Sequence, residues 1–172
     1  MMVAALKVGV DPIEYVNRLR NERARREIKR RMQEYTISGE LVAEFDRIIE
    51  KHYIVLFAAH WSSECTTEVA AITKLSLVTG SGLVIKIIDF DSNIDLAEEL
   101  GVQKVPTAIV YDKRGKELGR FMGKTRLAPT VEEELLQIIR HGQQETPGHA
   151  IGKNEKVEAR SPPSRLLSPP FR

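Results

Sequence analysis

Residues 53–65 read YIVLFAAHWSSEC, and this stretch decides the fold. Its first seven residues, Tyr53 to Ala59, form a short, unbroken apolar run rich in β-branched and aromatic types. That length and composition predict a buried strand rather than a helix. Its last five, Trp61 to Cys65, contain the only tryptophan and the only cysteine among 172 residues. Two further segments match the first in character: Leu83 to Asp89 (LVIKIID) and Thr107 to Tyr111 (TAIVY). Three such runs announce a buried sheet.

The intervening sequence supplies the helices that cover it. Ser62 to Thr79 is long enough for a crossover helix, with Val69, Ile72, Leu75 and Val78 on one side. Asn93 to Leu100 predicts a shorter helix ending at Gly101, a residue suited to a left-handed C-cap. Asp112-Lys113-Arg114-Gly115 is a turn, so Glu117 to Met122 returns antiparallel as a hairpin. Thr130 opens the last helix through a capping box with Glu133, and Val131, Leu135, Ile138 and Ile139 form its buried face.

Ahead of the sheet, Asp11-Pro12-Ile13-Glu14 reads as a helix start, with Asp11 as N-cap and Pro12 at the first helical position. Ile13, Val16, Leu19, Ile28, Met32 and Tyr35 recur at helical spacing. Arg18, Arg20, Arg23, Arg25, Arg26, Lys29, Arg30 and Arg31 load the remaining surface. The expectation is an amphipathic basic helix. After Ser38-Gly39 a second helix carries Leu41, Val42, Phe45, Ile48 and Ile49 as one apolar stripe.

Composition bounds the function classes. With 42% hydrophobic and 29% charged residues the chain is of the soluble globular kind, and its apolar runs are too short to span a bilayer. The opening MMVAALKVGV lacks the pattern of a secretory signal, so a cytoplasmic protein is expected. The net charge of +2 is too small for the whole surface to act as a polyanion receptor. The basic helix keeps nucleic-acid binding as an alternative, but glutamates are interspersed and no aromatic residues interleave with the arginines as base stacking requires. From residue 143 onward Pro147, Pro162, Pro163, Pro169 and Pro170 break a stretch without apolar periodicity. A disordered tail is expected there, in which Ser161-Pro-Pro and Ser168-Pro-Pro suit polyproline recognition.

The order strand, helix, strand, helix, strand, hairpin strand, helix is that of an α/β sheet covered on both faces. With Trp61-Ser62-Ser63-Glu64-Cys65 at the end of the first strand and Val105-Pro106-Thr107 before the third, the chain resembles the thioredoxin family. That family carries Trp-Cys-Gly-Pro-Cys at the first position, a cis-proline at the second, and a late glycine matched by Gly123. The resemblance implies a thioredoxin-like fold, a central mixed sheet flanked by helices, over about Leu41 to His141. The resulting division is a helical extension over 1–39, a thioredoxin-like domain over 40–142 and a disordered proline-rich tail over 143–172. The N-terminal helices and the dense Asp89-Phe90-Asp91 segment look most like a bacterial and archaeal branch with such an extension.

Measured against that family, the chain has lost the exposed nucleophilic cysteine, because Ser62 stands in its place. Leu56 occupies the usual position of a buried aspartate. A serine hydroxyl is protonated at neutral pH and offers no exchange with a disulfide, so a two-thiol cycle cannot run within one chain. Cys65 has two readings. It is a small buried hydrophobe, or it is a thiolate favoured by the helix end and the Ser62 hydroxyl. A single cysteine forms no internal disulfide, so any redox chemistry involves a second molecule.

The functional expectation is therefore a non-catalytic module of thiol redox homeostasis. It holds a protein or peptide client in a groove bordered by Trp61, Val105, Pro106, Thr107 and Gly123, with backbone pairing at Val105. The alternative is a monothiol protein in which Cys65, assisted by Ser62, forms mixed disulfides with a client or a low-molecular-weight thiol. His52, His60 and His141 are read as surface residues. No metal or cofactor is called for, since no second cysteine or histidine pair stands at ligand spacing.

Overall fold

The computed structural model describes residues 1–144. Strand β1 (His52–Ala58) is its centre, and every apolar residue of the quoted run has a destination. Successive side chains of a strand point to opposite faces. Ile54, Leu56 and Ala58 enter one core with Ile85, Ile87, Ala108 and Val110, whereas Val55 and Phe57 enter a second with Ile88, Ile109 and Tyr111. Two cores explain why the run is continuous rather than alternating.

Element by element, the chain runs α1 (Met2–Val8), α2 (Pro12–Arg18), α3 (Glu22–Glu34) and α4 (Gly39–Asp46), then β1, α5 (Ser63–Val78) and β2 (Leu83–Asp89). A 3-10 turn (Asp91–Asn93) leads into α6 (Ile94–Glu99), and β3 (Thr107–Tyr111), β4 (Glu117–Met122) and α7 (Val131–Gln144) complete it. The sheet order is β2-β1-β3-β4, with β1 parallel to β2 and the other neighbours antiparallel. The first core is roofed by α2, α3, α5 and α7, and the second by α1, α6 and the loop after α6.

The sheet and its flanking helices follow the sequence expectation, with β2, β3 and β4 at the expected bounds and β1 shifted by one residue. Asp112 accepts from the amides of Arg114 and Lys116 and so closes the hairpin turn, while Gly101 has a φ of 66°. The extension differs more. The expected long basic helix is two helices, broken at Leu19-Arg20-Asn21. Asn21 caps α3 by accepting from the Ala24 amide at 3.0 Å, and Arg25 Nη1 donates to the Leu19 carbonyl at 2.9 Å. An asparagine cap competes well with helix continuation. Asp11 makes no side-chain cap, because its carboxylate accepts from Lys86 Nζ at 2.8 Å instead.

Other differences concern burial. Ile13 is exposed, and α4 ends at Asp46, leaving Ile49 97% exposed outside the expected stripe. Val78 is also exposed, whereas Ala70 and Ala71 widen the buried side of α5. Helix α1 was not expected; it places Ala5 in the second core, and Val10 then bridges antiparallel to Ile87 at the sheet edge. The extension thus shares its core with the sheet: Tyr15, Val16, Leu19 and Ile28 pack in one cluster with Ile54 and Leu56. Helix α7 continues through Gln143 and Gln144, past the expected domain end. The rest of the expected tail, with its Ser-Pro-Pro segments, lies outside the described residues.

Strand β4 packs so closely on α7 that a β-carbon built at Gly119 would sit 2.9 Å from Ile138 Cγ2. Ile138 is buried and β-branched, so it has little freedom to retreat. Gly119→Ala is expected to lower stability by about 1–3 kcal/mol, as overpacking in a close-packed core does. Chemical denaturation should show an earlier midpoint, and an unchanged midpoint would contradict this packing.

Candidate functional site at the Trp61–Cys65 turn and the Val105–Pro106 loop

Both sequence-predicted segments lie at one end of the sheet, because Phe57, near the end of β1, pairs with Thr107 at the start of β3. The chain leaves β1 through Ala59 and His60, turns at Trp61, and enters α5 with Ser62 as N-cap. Ser62 Oγ accepts from the Cys65 amide at 3.2 Å, and the Ser62 carbonyl accepts from Thr66. A serine cap satisfies donors that the first turn of a helix leaves open.

Cys65 is 1% exposed, and its Sγ accepts from the Ala59 amide at 3.4 Å. Burial pushes the thiol above its ordinary range. The Ala59 amide and Ser62 hydroxyl pull the other way without prevailing, and the Glu64 and Glu68 charges add to the rise. Of the two readings of this cysteine, the geometry favours packing.

Trp61 has the opposite character. It is 62% exposed, with its indole Nε1 donating to Asp91 Oδ2 at 2.9 Å, so it stands out from the surface rather than covering the core.

The opposing wall is the loop before β3. The Val105–Pro106 peptide bond is cis. Gly123, at φ 73°, donates its amide to the Pro106 carbonyl at 2.8 Å and joins the two segments the sequence singled out. Pro106 and Thr107 are buried, and the Thr107 hydroxyl donates to the Lys104 carbonyl at 2.8 Å, so these two shape the wall rather than face outward. Val105 is half-buried and packs against both cores. Its backbone N–H and C=O have no hydrogen-bond partner among the described residues. Farther along, Glu134 accepts from the amides of Arg126 and Leu127 and fixes the loop that follows Gly123.

The histidines separate. His141 is exposed, but His52 is buried against the surface expectation, its Nδ1 donating to the Glu50 carbonyl at 2.8 Å. That local bond satisfies the ring inside the protein. His60 is exposed, and its ring lies with the Asp89 and Asp91 carboxylates so that one ligand atom from each falls within 4.8 Å of the others. Spacing along the chain did not reveal this group, because β2 brings Asp89 beside the end of β1. Both carboxylates already accept bonds, Asp89 from Ser92 and Asp91 from Trp61.

A second feature that sequence reading missed is a carboxylate seam between α5 and α7. Glu132 and Glu134 are buried, Tyr35 donates to Glu132, and Glu132 Oε2 has no hydrogen-bond partner among the described residues. Burial, followed by the charges of Glu132, Glu134 and Glu64, raises Glu68 to about 7. Acidic side chains at helical spacing look solvent-facing in a sequence; here Tyr35 of the extension covers them.

Between the ordinary value near 4.5 and about 7, Glu68 thus tends to keep a proton in the folded protein that the unfolded chain has released. Stability from this group is fully present below the unfolded value and is lost as pH rises through about 7. Glu68→Gln should match the parent protein near pH 5 and exceed its melting temperature near pH 8, a window roughly set by the two values. A constant difference between the two proteins across that range would contradict the assignment.

Comparison with known proteins agrees with this architecture. The family model for thioredoxin matches residues 9–135 and so takes in α2 and α3 as well as the sheet. A Pseudomonas aeruginosa protein of unknown function is similar over 79% of this chain and 95% of its own, at 18% identity and a TM-score of 0.66. An HIV epitope scaffold is similar over 80% and 96%, at 17% identity and a TM-score of 0.67. At such identities the solved structures speak for the fold alone, and it is the match of the family model over most of the sequence that shows this chain to belong to the thioredoxin family.

Proposed function

We propose that the chain is a non-catalytic, peptide-binding member of its family, associated with thiol redox homeostasis in the cytoplasm. The observation that carries this reading is the free backbone of Val105 at the end of the sheet where the exposed Trp61 also lies. An extended peptide pairing with that N–H and C=O gains main-chain hydrogen bonds, and an exposed aromatic ring offers the apolar contact that such clients require. Gly123 leaves the far wall open: the nearest atoms to a β-carbon built there are the end of the Lys104 side chain, at 3.7 Å.

The monothiol alternative fares less well on the same geometry. A thiolate must be exposed to attack, whereas Cys65 lies within the first core with its proton retained. Ser62 serves the helix as a cap and offers no leaving thiol.

Two measurements separate the readings. Client capture on immobilised protein should be lost on Val105→Arg, which places a bulky charge on the groove wall, while Cys65→Ala leaves capture intact. Retained capture by Val105→Arg would overturn the proposal. In the native protein Cys65 should react with an aromatic disulfide reagent more than about tenfold slower than in denaturant, given its burial and raised thiol. Equal rates would favour the monothiol reading.

A further inference from the structure

Helix α3 carries five arginines and three glutamates, and their pairing is uneven. Glu22 lies 3.9 Å from Arg25, Glu27 accepts from Arg30 at 2.7 Å and Arg31 at 2.8 Å, and Glu34 pairs with Arg30 at 2.6 Å. All three carboxylates are thereby engaged. Arg23 and Arg26, one helical turn apart, are exposed and have no carboxylate at ion-pair distance among the described residues. Both line a groove of about 520 Å³ together with Arg30, Arg31 and the Glu27 that those two neutralise, and its opposite wall is Ser63 and Thr66 in the first turn of α5. There the Ser63 and Glu64 amides have no acceptor among the described residues. The positive end of a sixteen-residue helix thus adds to two uncompensated guanidinium groups.

We propose that this groove seats acidic side chains of the peptide client, so that clients combine an extended segment at Val105 with a short run of aspartate or glutamate lying along α3. The proposal rests on the peptide-binding reading, since Trp61 and the Ser62 cap join the two surfaces through consecutive residues. Charge complementarity selects the occupant. Arg23 and Arg26 can each donate two N–H groups to one carboxylate in bidentate fashion, and Ser63 contributes a hydroxyl donor. A peptide fits better than a nucleic-acid strand. The backbone N–H and C=O of Val105, without partners among the described residues, call for a partner with amide groups, which a peptide has and a phosphate backbone lacks.

The test uses the full chain and three fluorescent probes of equal length. One is a decapeptide with a valine-rich half followed by glutamates, the second carries glutamine in place of glutamate, and the third is an oligothymidylate. Anisotropy should show the acidic probe binding more tightly than the glutamine probe, with a preference that shrinks as salt rises. Arg23→Ala with Arg26→Ala should weaken the acidic probe by roughly tenfold while leaving the glutamine probe unchanged, the effect of removing two partly exposed charge pairs. Arg23→Lys with Arg26→Lys should restore most of the binding. Equal affinity for acidic and glutamine probes would overturn the proposal, as would tighter binding of the oligothymidylate. Val105→Arg tells the two readings apart. If it leaves the acidic probe's affinity unchanged while the alanine pair abolishes it, the groove at Val105 is wrong and the arginine surface stands alone. If Val105→Arg abolishes binding and the alanine pair does nothing, the acidic preference is wrong and the groove remains.

Discussion

The pairing of β1 with β3, which sets Phe57 opposite Thr107, is the constraint on which the rest of the molecule depends. It carries the two helical layers, because β1 sends alternate side chains into separate cores. It also fixes the functional end. The chain emerging from β1 must turn at Trp61 beside the chain entering β3 through Val105 and Pro106, whatever residues occupy those places. A change of one residue in this register would exchange the cores and carry the turn away from the loop. The site is therefore a consequence of sheet register, and its chemistry is decided separately by the residues on the turn.

Those residues favour structure over reactivity. A helix N-terminus stabilises negative charge, so an exposed sulfur there would be inclined to ionise. Ser62 places an oxygen at the cap and uses it on the Cys65 amide, while the sulfur that remains is inside the core. The Ala59 amide bonded to Cys65 Sγ ties the end of β1 to the first turn of α5. What the turn loses as a nucleophile it gains as a fixed edge: Trp61 is held outward by Asp91, and Gly123 is held to Pro106. An edge held by such hydrogen bonds has less to lose in ordering on any association.

Much of this was legible in the sequence, for reasons that differ by element. The three aliphatic strands showed clearly because each is short and sends buried residues to both cores, so Leu83 to Asp89 and Thr107 to Tyr111 could be bounded to the residue. Thr130 gave a readable cap because its side chain does accept from Glu133, at 3.4 Å. Asp11 does stand at the N-cap with Pro12 first in the helix, but its side chain makes no cap bond and goes to Lys86, seventy-five residues away, a contact that no local rule contains. Asn21 shows the converse: it is a good cap residue inside a periodic pattern, and the break it makes outweighs the periodicity of Ile13 to Tyr35. Of the candidate site, Trp61, Ser62, Cys65, Val105, Pro106, Thr107 and Gly123 could be named as candidates from motif and spacing, but their division into exposed and buried residues could not be read. Burial of His52 and Glu132 is a tertiary property, set by neighbours distant in the chain.

The extension is where the physical argument leads last. Tyr15, Val16, Leu19 and Ile28 belong to the core of the sheet, so α2 and α3 cannot be regarded as an appendage hung on a finished domain. Their apolar residues roof α5, and Tyr35 covers the carboxylate seam through its bond to Glu132. Because that packing fixes the rotation of α3, it also decides which arginines face α5. All four line the groove, but Arg30 and Arg31 are bound to Glu27, whereas Arg23 and Arg26 have no carboxylate at ion-pair distance among the described residues. The same helix therefore stabilises the fold through one face and sets the electrostatic character of the turn through another. Arg23 and Arg26 thus stand beside the first turn of α5, where a helix N-terminus adds its own positive potential and Ser62, rather than a thiol, forms the cap.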